Sequence, residues 1–160
     1  MITNNYRVEY LMRETSSIVS ATLVLAGRQT CEDLGVSRFG EADAMVSLLL
    51  GPVLYRIRKP ALVVDRIYQV WKTAAIYRAR LPRALGSVPL PKTGSLATCV
   101  LNLTAYPAVA AHLTSGQTAL DKPHLAIQVG ALHLEIKDLD AYESTLDAWQ
   151  RARELIRPEE

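Results

Sequence analysis

The sequence predicts an α+β domain with N-terminal helices, one long central helix, a small antiparallel sheet, and a C-terminal helix packed on that sheet. Three observations point there. Between Pro60 and Leu81 the residues Val63, Ile67, Val70, Ala74, Tyr77 and Leu81 recur every three or four positions, the repeat of one helix face. From Leu96 to Thr104 the period falls to two. His124 to Lys137 then reads as a hairpin turning at Gly130-Ala131, and a second helical period follows it. One domain, 1–160, is expected, with a mainly helical part at 1–85 and the strands, hairpin and last helix at 96–160.

The first helix is placed at Tyr6 to Ala26, with Leu11, Ile18 and Leu25 two turns apart and Gly27 just beyond its end. Ser17 to Ala26 is β-branched and apolar enough to pass as a strand as well. Thr30 is placed as the cap of a short turn through Cys31 to Leu34. A second helix is expected from about Glu41 to Arg58, acidic at its start and basic at its end, with Met45, Leu48, Leu49 and Pro52 as its buried row and a kink at Pro52. Pro60 suits a first helical position, and Pro82 makes Leu81 a last one. The long helix between them carries a second apolar row, Val64, Tyr68, Trp71 and Ala75, and so needs cover on two sides.

Arg83 to Ser95, with two prolines and two glycines, reads as a linker. In the strand at 96–104, Ala97, Cys99, Leu101 and Leu103 share the core face, while Thr98, Val100 and Asn102 point away. Ala108 to Thr114 fits a short helix or a returning strand, and the strands on both sides favour the latter. In the hairpin Val129 faces Leu132, Ile127 faces Leu134 and Leu125 faces Ile136; on the other face Gln128 meets His133, Ala126 meets Glu135 and His124 meets Lys137. Asp140 and Glu143 form an acidic capping box for a helix whose apolar row is Tyr142, Leu146, Trp149, Ala152 and Ile156. No internal repeat and no low-complexity segment is legible.

The net charge of +2 hides an asymmetry. Residues 50–92 carry nine basic side chains against Asp65 alone, net +8, between flanks of net −2 and −4. Such a middle segment either attracts a polyanion or pairs with its own termini. The residues nominated for nucleic acid are Arg56, Arg58 and Lys59 at one end of the long helix and Arg78, Arg80 and Arg83 at the other. Tyr68, Trp71 and Ala75 are nominated as an interface between two copies, because the surplus apolar face needs a cover.

Cys31 and Cys99 stand far apart with no metal or redox spacing and read as reduced, inert thiols in a cytoplasmic protein. The longest mainly apolar run, Ala44 to Tyr55, falls short of the ~20 residues of a membrane helix. The start shows no basic segment leading into an apolar one, so no signal peptide is expected. His133 and Glu135 share a hairpin face and make a conceivable acid-base pair, with His124 nearby, while His112 has no candidate partner. No phosphate loop, nucleophile elbow or metal-ligand spacing is present, so neither cofactor nor metal nor catalytic residue is expected.

Leu48 to Ile57 (LLLGPVLYRI), followed by a helix from near Ala61, resembles about 30 residues of the ligand-binding and dimerisation domain of TetR-type regulators. The resemblance implies an all-helical surrounding and carries no residue roles, since nothing here is similar to that family's helix-turn-helix. The function expected from the residues themselves is that of a non-enzymatic accessory or regulatory protein acting through protein contacts, as a homodimer and with further protein partners. The alternative is a nucleic-acid-associated protein using the basic segment 56–83.

Overall fold

Strands, not helices, occupy the described residues ahead of Pro60. The computed structural model describes residues 5–12, 18–37, 45–58, 60–83, 99–103, 107–114 and 123–156. The stretch expected as a first helix forms two antiparallel strands, β1 (Asn5–Met12) and β2 (Ile18–Ala26). The short turn expected through Cys31 to Leu34 is instead part of strand β3 (Cys31–Ser37). The expected second helix is a hairpin of β4 (Met45–Leu50) and β5 (Val53–Arg58). Val46, Leu48 and Leu50 on β4 and Val53, Tyr55 and Ile57 on β5 are buried, and the residues between them face outward. That is the two-residue period of a half-buried strand, which puts Met45 and Leu49 on the opposite side from Leu48. Pro52 does not kink a helix: with Gly51, at φ +56, it makes the turn.

The central helix begins at Pro60 as expected but is shorter. Helix α1 (Pro60–Thr73) gives way to a 3-10 segment, Ala74–Arg80, and Leu81 is extended ahead of Pro82. Strand β6 (Cys99–Leu103), β7 (Val109–Thr114), β8 (His124–Val129), β9 (Leu132–Ile136) and helix α2 (Leu139–Leu155) complete the fold. The β8–β9 register is the expected one, Val129 to Leu132 through Leu125 to Ile136. The cap of α2 is Asp138 and not Asp140: its Oδ1 accepts from the Ala141 N–H at 2.8 Å and its Oδ2 from the Gly27 N–H at 2.8 Å, tying the helix start to the end of β2. The expected linker falls, apart from Arg83, outside the described residues.

The small antiparallel sheet becomes two sheets, ordered β1-β2-β9-β8-β7 and β3-β4-β5-β6. Each holds one parallel pair, β2 with β9 and β5 with β6. One buried cluster unites the inner faces of both sheets with both helices. The helices meet through Trp71 stacked on Tyr142 at 5.8 Å, with the Tyr142 hydroxyl donating to the Trp71 carbonyl at 2.6 Å, and α2 meets β5 through Trp149 set edge-on to Tyr55 at 4.9 Å.

An internal repeat emerges that the residues do not announce. The run β2-β3-β4-β5-α1 recurs as β6-β7-β8-β9-α2, displaced by 78 residues in the outer elements and 79 in the hairpin. Trp71 and Trp149, both fully buried, are one equivalent pair; Ile57 and Ile136 are another. Two pairs of backbone bonds agree as well. Gly51 N–H donates to the Thr30 carbonyl at 2.9 Å and Gly130 N–H to that of Ala108 at 2.8 Å. Ala21 N–H donates to the Ala131 carbonyl at 3.1 Å and Cys99 N–H to that of Pro52 at 3.0 Å. Asp65 and Glu143, 78 residues apart, each bind an arginine of the other half, Arg153 at 2.8 Å and Arg78. The two repeats exchange their first strands, so each sheet is completed by a strand from the other half.

Candidate functional site

A repeat lets each surface be compared with its own equivalent, and the differences mark where one half has diverged. On the outward face of the five-stranded sheet, Gln128, His133 and Thr22 form a polar row across β8, β9 and β2. The equivalent row on the four-stranded sheet is Leu49, Leu54 and Val100 across β4, β5 and β6. Leu49 and Leu54 are partly exposed and Val100 is 50% exposed. The next row on that face is Ser47, Arg56 and Asn102, with Arg58 beyond it opposite Met45. Apolar side chains placed outward on a twisted sheet gain nothing in the monomer, whereas their exchange with polar residues across the repeat is specific to one sheet.

Two grooves are likewise equivalent. One, of about 300 Å³, runs between the Arg28-Gln29 corner and α2; the other, of about 360 Å³, between β7 and α1. Ser144, Asp147, Arg151 and Glu154 of the first stand where Arg66, Gln69, Thr73 and Ile76 stand in the second. One groove is polar and the other is lined mainly by apolar atoms.

The residues nominated from the sequence are dispersed. Arg56 and Arg58 are exposed on the outward face of β5, and Lys59 lies outside the described residues. Arg78 binds Glu143 of α2, while Arg80 and Arg83 are exposed at the end of the 3-10 segment and beyond it. Trp71 is fully buried, Tyr68 is buried under the Arg153 guanidinium at 4.8 Å, and Ala75 is half-buried. The cover that the long helix needs on its second side is therefore α2 of the same chain. Glu135 pairs with Lys137 at 3.3 Å rather than with His133. Cys31 and Cys99 are half-buried thiols outside any disulfide, and burial pushes the Cys99 thiol up, away from the thiolate form that attacks or ligates. Of the apolar row, sequence reasoning turned Val100 outward correctly but placed Leu49 in a helix core. The two-residue alternation across Met45–Arg58 was the signal that would have found it.

Among the described residues no helix is long and apolar enough to cross a membrane, and no three His, Cys, Asp or Glu side chains gather as a metal site. The chain matches no protein-family model, no curated protein and no solved structure. The segment resembling TetR-type regulators is the β4–β5 hairpin, which has no place in an all-helical domain.

Proposed function

We propose that this protein is a non-enzymatic accessory or regulatory protein that works through protein contacts made by the outward face of its four-stranded sheet. The observation that carries the reading is the Leu49, Leu54 and Val100 row, set where the other half of the same chain has Gln128, His133 and Thr22. Water-facing apolar rows of this kind favour association, since burying them returns about 25 cal/mol per Å². A photo-crosslinking amino acid at position 54, with position 133 as the equivalent control, tests it in the native cell. Protein adducts at 54 and none at 133 are expected; equal background at both ends the reading.

Arg56 and Arg58, exposed two residues apart on the same face, favour a second reading, nucleic-acid association. Fluorescence anisotropy of a labelled duplex at roughly 50 and 200 mM salt decides it, because phosphate-driven binding weakens by orders of magnitude over that range. No binding at the lower salt removes it.

A further inference from the structure

The two repeats differ at one sheet edge. In the five-stranded sheet β2 carries β1 along its outer side, antiparallel from Asn5 opposite Ala26 to Met12 opposite Ile18. In the four-stranded sheet the equivalent strand is β6, and among the described residues nothing pairs with its outer side. The fold thus states, within one chain, what such an edge accepts: an extended antiparallel strand.

We infer that β6 pairs antiparallel with β6 of a second copy of this chain, across a two-fold axis at Val100. The inference rests on the reading that the outward face of the four-stranded sheet is the interaction surface, and it names the partner and the strand. Five points carry it. Cys99–Leu103 (CVLNL) holds no charged residue, whereas natural edge strands are usually guarded by one. The other edges differ: β1 contains Arg7 and Glu9, β3 contains Glu32 and Asp33, and β7 lies against α1 and the 3-10 segment. An antiparallel pairing of a strand with itself is self-complementary and closed, so it stops at two copies. With the axis at Val100, the two outward rows meet as one apolar stripe, Leu49, Leu54 and Val100 from each copy. Arg56 of each copy sits on β5, level with Asn102, so its mate lies three strand spacings across and four residues along, roughly 19 Å away and beyond the ~8 Å screening length at physiological salt.

Two five-residue strands bury less than the ~1,200 Å² of standard stable complexes, so the dimer belongs to the weak class. Sedimentation velocity of the full chain from about 5 to about 500 μM spans that class. The average mass of the wild type is expected to rise toward twice 17.7 kDa over the range. Val100→Lys, exposed and so harmless to folding, abolishes the rise, and Val100→Thr, a good strand former, keeps most of it. Under mild oxidation Val100→Cys forms a disulfide-linked dimer, while Leu49→Cys, two strands from the edge, and the wild type with its own Cys31 and Cys99 do not. A wild type that stays monomeric throughout, or a dimer untouched by Val100→Lys, overturns the inference. Crosslinks at position 54 to a different protein beside a monomeric chain would sink self-pairing and leave the interaction reading standing; no crosslinks at 54 beside a Val100-dependent dimer would do the reverse.

Discussion

Gly51 and Gly130 lead the two equivalent hairpin turns at φ +56 and +59, yet their replacement by alanine should not cost the same. At Gly130 a Cβ would stand 3.9 Å from Leu103 Cδ2, an ordinary contact, so only the left-handed backbone strain of about 1–2 kcal/mol applies. At Gly51 the same Cβ would lie 2.6 Å from Gln29 Oε1. Gln29 is 4% exposed, and its Nε2 donates to the carbonyls of Ala26 at 3.2 Å and Gly27 at 3.1 Å. Clearing the new methyl means turning that amide and losing both bonds, each worth about 1 kcal/mol. Gly51→Ala is therefore expected to destabilise by about 3–4 kcal/mol against about 1–2 for Gly130→Ala. Urea unfolding followed by the emission of the fully buried Trp71 and Trp149 measures both. In a Gln29→Ala background the extra cost of Gly51→Ala should vanish, leaving the backbone strain alone. Equal costs for the two glycines, or a Gly51→Ala cost unchanged without the Gln29 amide, would refute the argument.

Asp138→Ala removes the cap of α2 and strands the Gly27 N–H, a combined loss of about 2–4 kcal/mol by thermal unfolding, with Asp138→Asn retaining part of it. Ile57→Val and Ile136→Val, at equivalent and fully buried positions, should cost about 0.5–1.5 kcal/mol each and agree closely; a clear disparity would mean the two cores are not packed alike. Burial pushes the Tyr142 hydroxyl up to about 12, with Glu143 adding to the shift and Arg78 opposing it, and burial raises Tyr55 too. The folded state keeps protons that the unfolded state releases above pH ~10, so stability present below that pH falls as pH rises toward 12. Urea midpoints over this window should drop, and less steeply in Tyr142→Phe, which at neutral pH costs about 1–2 kcal/mol through the lost bond to the Trp71 carbonyl.

Much of the second half was legible because its signals are local. The β8–β9 register follows from alternation across a glycine turn, Pro60 and Pro82 bracket the central helical run, and the outward position of Val100 follows from the period of its strand. The candidate face was legible only at that edge. Leu49 and Leu54 are flanked by apolar residues on both sides in LLLGPVLY, so a helical row can be drawn through them as easily as a strand's alternation. Acidic and basic ends around that run then imitated a helix dipole.

The sequence by itself determined the elements whose cause lies within a few residues: the β8–β9 hairpin, β6, and the start of α1. Only the tertiary structure decided that residues 5–12, 18–26, 45–50 and 53–58 are strands, because β2 and β5, beside their neighbours β1 and β4, are also held by ladders distant in the chain. β2 is fixed by β9 more than 100 residues later, and β5 by β6 across the whole of α1. The repeat was hidden for the same reason. A pairing geometry survives changes such as Tyr55 to Leu134 and Ile67 to Thr145, since hydrogen-bonded ladders and buried volume require only a backbone and a fitting side chain. What the two halves share is therefore their bonds, and what distinguishes them is the row of side chains turned to water.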